Sequence, residues 1–117
     1  MPTGDPANVL NLEQLEASAG SDRALMLELV ELYLADGAAK LPSLLEAAAE
    51  PALDRMGQVA HGLKGASAAM GCEEAAGAFR VLEALGRTGE TAGLDDALAS
   101  AQAAWRRASE RLRQLAA

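Results

Sequence analysis

From Leu53 to Met70 the residues suited to burial fall at alternating intervals of three and four: Leu53, Met56, Ala60, Leu63, Ser67 and Met70. A chain with that period can hide them together only as one stripe of an α-helix. The spacing returns in Ala75, Phe79, Leu82 and Leu85, and again in Leu94, Leu98, Ala101, Trp105, Ala108, Leu112 and Leu115. No stretch alternates with the period of two that a half-buried strand requires. Half of the residues are hydrophobic but only 3% are aromatic, so the core must be aliphatic. That palette of Ala, Leu and Met, mixed with Glu and Arg, consists of good helix formers. The length of 117 residues suits one domain with one core. These features predict an all-α fold, an antiparallel four-helix bundle with a short additional N-terminal helix.

Punctuation divides the chain accordingly. Pro2, Gly4 and Pro6 predict a flexible N-terminal arm over residues 1–10, with residues 11–117 as the single helical domain. Asn11 is placed to cap a short helix running to about Ala19, with Leu12 and Leu15 inward. Gly20 offers a left-handed stop, and Ser21 or Asp22 the next cap. From about Asp22 to Glu50, the pattern Leu25, Leu29, Leu32, then Leu41, Leu44, Leu45 and Ala48 keeps a helical period. Gly37 and Pro42 are expected to kink this helix or split it into two collinear pieces. Pro51 fits the first turn of the following helix, and Gly71 its end. A helix from about Glu73 to Gly86 comes next, and Gly86, Thr88, Gly89, Thr91 and Gly93 mark a loop before the last helix.

Charge and composition exclude several functions. A net charge of -7 argues against nucleic acid, whose phosphates call for a cationic face, and disfavours an anionic membrane surface for the same reason. No apolar run approaches the roughly 20 residues that cross a bilayer. The N-terminus lacks the basic start and apolar stretch of a secretory signal. Cys72 is the single cysteine and cannot form an internal disulfide, which points to a reducing, cytoplasmic setting.

The single histidine, His61, lies on the helix predicted from Leu53 to Met70. At roughly 100° per residue it projects about 140° from the middle of the buried stripe, toward water. Gly57, Lys64, Gly65 and Ala68 are expected around it on that exposed face. A glycine inside a helix costs on the order of 1 kcal/mol relative to alanine, and this helix carries Gly57, Gly62 and Gly65. Stability given up around one imidazole implies that something large must approach it. A metal centre would need three or four converging ligands, which one histidine and one cysteine do not supply. A Ser-His-Asp device would need a serine beside the ring, whereas Ser67 belongs to the buried stripe and should bond a carbonyl one turn back. Covalent chemistry at the imidazole itself remains: a ring nitrogen with a free lone pair can attack phosphorus and later serve as leaving group. The small neighbours leave room for in-line approach, and Lys64, one turn on, supplies a positive charge for phosphoryl oxygens.

The segment His61-Gly62-Leu63-Lys64-Gly65-Ala66-Ser67-Ala68-Ala69-Met70-Gly71 resembles the His-x-x-Lys-Gly-x-Ser motif, with a later Gly, of histidine-containing phosphotransfer (HPt) domains of bacterial two-component phosphorelays. Leu82-Glu83 matches a frequent Leu-Glu pair of that family, and the resemblance spans about Leu12 to Leu115. It implies a helical bundle that carries a phosphoryl group between aspartates of response-regulator receiver domains, with a hybrid histidine kinase upstream. Carried over, His61 becomes the phosphoaccepting residue, Lys64 the phosphate-neutralising cation and Gly65 the clearance for the partner. Gly57, Gln58, Ser67, Ala68 and Glu83 are assigned to the docking rim or to the support behind the ring, with Arg55 and Arg80 as further rim candidates. The family often has glutamine at the Glu83 position, and an acid there is expected to repel phosphate. The resemblance implies a monomer with no cofactor of its own, a divalent cation such as Mg residing in the partner receiver. No Gly-rich phosphate loop provides ATP chemistry. Two rivals are the dimerisation and phosphoacceptor region of a histidine kinase and an adaptor that binds receivers without being phosphorylated. Kinase regions of the first type place an acid after the histidine and a proline beyond, where this chain has Gly62 and no downstream proline.

Overall fold

The computed structural model of the chain describes residues 6–117. Its helices are α1 (Pro6–Val9), α2 (Leu12–Ser18), α3 (Arg23–Ala49), α4 (Leu53–Ala69), α5 (Glu73–Thr88) and α6 (Leu94–Ala116), and no strand occurs among the described residues. The long α3 to α6 make the expected all-α bundle, with α2 as the short helix ahead of it. Part of the arm expected over residues 1–10, residues 1–5, lies outside the described residues. Pro6–Val9 instead form a helical turn, and Val9 and Leu10 are buried, so the chain is packed earlier than the punctuation implies.

Asn11 caps α2 as expected, its side chain accepting from the Gln14 N–H at 3.2 Å. The Asn11 N–H reaches the Gly71 carbonyl at 2.8 Å and the Ser18 hydroxyl donates to the Ala69 carbonyl at 2.6 Å, so α2 lies across the end of α4. That attachment turns Leu15 and Ala19 inward and leaves Leu12, an expected inward residue, exposed. Gly20 and Ser21 both take left-handed φ, and Asp22 rather than Ser21 caps α3 through the Leu25 N–H.

α3 departs most from the periodicity. It runs from Arg23 to Ala49 without the expected break. Pro42 and Ala38, whose carbonyl loses its helical partner, both face solvent, where water can serve the freed acceptor. Gly37 is no interruption either: a side chain there would overlap the ring of Trp105. The buried face is Met26, Val30, Tyr33 and Gly37, followed by Leu44, Ala47 and Ala48, whereas Leu25 and Leu32 are exposed. Apolar residues cover more than half of the circumference in the first half of this helix, so periodicity alone fits more than one face. Packing selects the face on which Tyr33 and Gly37 meet Trp105, the two rings lying edge to face with centroids 5.1 Å apart.

α4 and α5 are the heart of the bundle. Pro51 stands just before the N-cap Ala52 rather than within the first turn of α4. Gly71, at φ 78°, ends the helix: the Cys72 N–H returns to the Ser67 carbonyl and the Gly71 N–H to the Ala68 carbonyl, the paired bonds of a Schellman stop. The chain then reverses directly into α5, which continues past Gly86 to Thr88 and ends on left-handed Gly89. Met56, Leu63, Phe79 and Leu82 are fully buried between the helices with Leu15, Leu44 and Leu112. Burying each such side chain is worth roughly 1.5–3 kcal/mol. In α6 the small residues Ala97, Ala101, Ala104 and Ala108 occupy the centre of the interface, and Leu98, Trp105 and Leu115 flank it half-buried. At the start of α5, Glu74 is held by Arg107 of α6 through two bonds of 2.8 and 3.1 Å.

Candidate functional site

The turn at Gly71–Cys72 sets the register between α4 and α5. His61 and Glu83 are each eleven residues from Cys72, so a symmetric hairpin brings them level. His61 stands in the middle of α4 with its side chain 67% exposed, as the stripe requires. Its Nδ1 lies 2.5 Å from Glu83 Oε2, and the other carboxylate oxygen, Oε1, accepts from Lys64 Nζ at 2.7 Å. Glu83 therefore joins the imidazole and the ammonium from the neighbouring helix. Its side chain is only 17% exposed and that of Lys64 27%, so both lie closer to the packed interior than the ring.

The electrostatics follow from these contacts. The Lys64 ammonium, and after it the hydrogen bond with His61, hold the Glu83 carboxyl below its ordinary range despite some desolvation. An ionised Glu83 can only accept, so Nδ1 carries the proton and donates it, which leaves the lone pair of the neutral ring on Nε2. Nε2 has no hydrogen-bond partner among the described residues. In the neutral ring Nε2 thus faces outward with its lone pair, the tautomer set from behind by Glu83.

The surroundings divide into open and closed sides. Side-chain carbons added at Gly62 or Gly65 would meet nothing within 4 Å, and Ala68 is exposed, so the outer face of α4 is clear as expected. Gly57 is a correction. It is buried, pressed against Gly86 of α5, and helps to close the helix pair instead of opening the approach. A groove of about 330 Å³ beside the ring is lined by Asp54, Gly57, Gln58, His61, Glu83, Gly86 and Arg87. Ser67 is fully buried as expected, but its hydroxyl pairs with the Tyr33 hydroxyl of α3 at 2.6 Å rather than with a carbonyl one turn back. Arg55 is held by Glu50 at 3.2 Å, and Arg80 lines a separate concavity with Gln14 and Ala68. Among the described residues, no three His, Cys, Asp or Glu side chains converge as metal ligands. No helix among them is long and apolar enough to cross a membrane.

Periodicity puts His61, Lys64 and Gly65 on one helix, and the structure brings Glu83, assigned to the docking rim or the support behind the ring, against the first two. The expectation that Glu83 repels phosphate treats it as an isolated charge, whereas Lys64 balances it. Gly86, read as part of a loop, is missed as a helix-packing residue beside the site. The hairpin symmetry about Cys72 is the signal that could have located both.

Comparison with known families matches residues 28–116 to the family model described as Hpt domain. No curated protein and no solved structure matches the chain.

Proposed function

Because this chain belongs to the Hpt domain family, whose members act in phosphotransfer within phosphorelays, we propose that His61 carries a phosphoryl group between aspartates of receiver domains. Hpt domains interact with receiver domains and kinases; here the partners would be response-regulator receivers and a hybrid histidine kinase. The observation that carries the reading is the 2.5 Å contact between His61 Nδ1 and Glu83 behind a ring that is otherwise exposed. In the neutral ring it places the lone pair on the exposed nitrogen.

In the forward step Nε2 attacks the phosphorus of an aspartyl phosphate. The N–P bond forms, the bond from phosphorus to the carboxylate oxygen breaks, and the receiver's aspartate leaves as carboxylate. The proton on Nδ1 stays in place, and the positive charge that develops on the ring is met by Glu83. Return transfer reverses these bonds onto the aspartate of a second receiver, and Nε2 recovers its lone pair. Lys64 matches the charge of Glu83 in the free protein and stands one turn from the ring, where its ammonium can also face phosphoryl oxygens. Gly65 and Ala68 give the partner access. We place the divalent cation in the receiver's acidic pocket, where it would neutralise the transferring group. The protein would act as a monomer in the cytoplasm, in keeping with its buried, unpaired Cys72.

Incubation with phosphorylated receiver domains tests this reading. Wild-type protein should acquire an acid-labile, base-stable phosphate, and His61→Gln should acquire none. A phosphate retained in His61→Gln, or none in wild type across a broad panel of phosphorylated receivers, refutes it.

A further inference from the structure

Beside the His61–Glu83 pair, α4 and α5 touch through two glycines. A side-chain carbon on Gly86 would lie 2.6 Å from the Gly57 Cα, 2.6 Å from the Leu53 carbonyl oxygen and 2.8 Å from the Gly57 nitrogen. All three are backbone atoms and cannot rotate away. The opposite substitution is less severe: a carbon on Gly57 would sit 3.2 Å from the Gly86 Cα and 3.5 Å from the Glu83 carbonyl oxygen. The second of these contacts falls on the backbone of the acid that holds the imidazole. Along α4, His61 is one turn beyond Gly57, and along α5, Glu83 is one turn before Gly86.

From this juxtaposition we infer that the Gly57–Gly86 contact is a positioning device for the nucleophile, setting the spacing between α4 and α5 at which Glu83 spans both His61 and Lys64. The inference rests on the carrier reading and adds two positioning residues to it. Glutamate has a limited reach, and here it makes both contacts at once, at 2.5 and 2.7 Å. Relieving a 2.6 Å overlap to an ordinary contact of 3.4 Å moves the backbones apart by about 0.8 Å. A shift of that size one turn away takes both contacts past about 3.2 Å, the outer range of an N–H···O bond. With Nδ1 no longer held as donor, the ring populates the other tautomer, in which the proton sits on Nε2 and blocks attack. Stability is a poor guide to this role, because alanine in place of a helical glycine also raises helix propensity.

The test is a cycle of Gly86→Ala and Glu83→Ala, with phosphoramidate as a small donor that needs no docking surface. In that reaction Nε2 bonds to phosphorus as the P–N bond of zwitterionic phosphoramidate breaks, and ammonia leaves with its three protons. The tautomer is read from the ¹⁵N shifts of the imidazole, and folding from helicity. Gly86→Ala should shift the ring from one tautomer to a mixture and slow phosphorylation roughly tenfold, in line with the cost of a small misplacement of reacting groups. On the Glu83→Ala background the same change should alter the rate by less than about twofold, since residues acting through one another are not additive. A folded Gly86→Ala that keeps the wild-type tautomer and rate overturns the inference, as does an equal rate loss on both backgrounds. Should Gly86→Ala fail to fold, Gly57→Ala carries the same cycle with a smaller effect. Wild type that accepts no phosphoryl group from phosphoramidate or from receivers overturns the carrier reading, while the tautomer measurement still decides the positioning role.

Discussion

The bond between Tyr33 and Ser67 ties α3 to the buried side of the helix that carries His61, and its removal can be reasoned through atom by atom. The hydroxyls are 2.6 Å apart, and both residues are buried. A hydrogen bond of this kind contributes a net of about 1 kcal/mol, but an abandoned buried partner costs about 1–3 kcal/mol. Tyr33→Phe keeps the ring against Trp105 and strands the Ser67 hydroxyl, which can turn to the carbonyl one turn back; the expected loss is about 1 kcal/mol. Ser67→Ala strands the Tyr33 hydroxyl, whose nearby thiol, Cys72, is a weak substitute. The expected loss is about 2 kcal/mol. With both hydroxyls gone, nothing is left unsatisfied, so the double variant should lose about 1.5 kcal/mol, half the sum of the singles. Urea titrations followed by helicity measure all three. Single losses that add in the double variant, or a Ser67→Ala loss within about 0.3 kcal/mol of zero, refute the reasoning.

Three further outcomes follow from the same geometry. Glu83 has its carboxyl pKa depressed in the folded protein, so its contribution is fully present above its ordinary value near 4.5 and is lost as pH falls through the lower folded value. Stability measured from pH 6 down to about 2 should therefore fall more steeply for wild type than for Glu83→Gln, and parallel profiles would contradict the bridge. Burial raises the pKa of Tyr33, the only tyrosine, so its phenolate absorbance should be missing at pH 10–11 in folded protein and appear on unfolding. The associated stability is present below pH 10 and lost as pH rises above it; gradual titration of the native protein near 10 would sink this account. Gly62→Ala and Gly65→Ala, which meet open space, should each stabilise the fold by about 0.5–1 kcal/mol in urea titrations, and destabilisation of either would show that the outer face of α4 is not clear.

How much of this was legible in the sequence depends on how local each feature is. The stripes of α4 and α5 and the caps at Asn11 and Gly71 come from residues within a few positions of one another, and they appear where the spacing puts them. The first half of α3 resists the same reading because Leu25, Met26, Leu27, Leu29, Val30, Leu32, Tyr33 and Leu34 spread apolar residues over more than half of the helix circumference. The choice between its faces is made by Ser67 and Trp105, far along the chain. His61 and Lys64 are legible as neighbours on one helix. The place of Glu83 depends on the register of two helices, and that register is set by the turn and by a pair of glycines that the sequence alone assigns elsewhere.

The glycines of the hairpin show why an exposed nucleophile needs structure on both of its sides. Gly62 and Gly65 leave the front of the ring empty, which a docking partner requires, but an imidazole with nothing behind it would exchange its proton between two nitrogens. Gly57 and Gly86 act on the other side. By removing two side chains where α4 and α5 meet, they bring the backbone of Glu83 near enough for its carboxylate to fix the proton on Nδ1. Lys64 then balances the charge of that carboxylate. On the carrier reading, replacing a front glycine would change what can approach His61, and replacing a rear one would change which nitrogen carries the lone pair. Composition counts the two kinds alike, and only the pairing of the helices separates them.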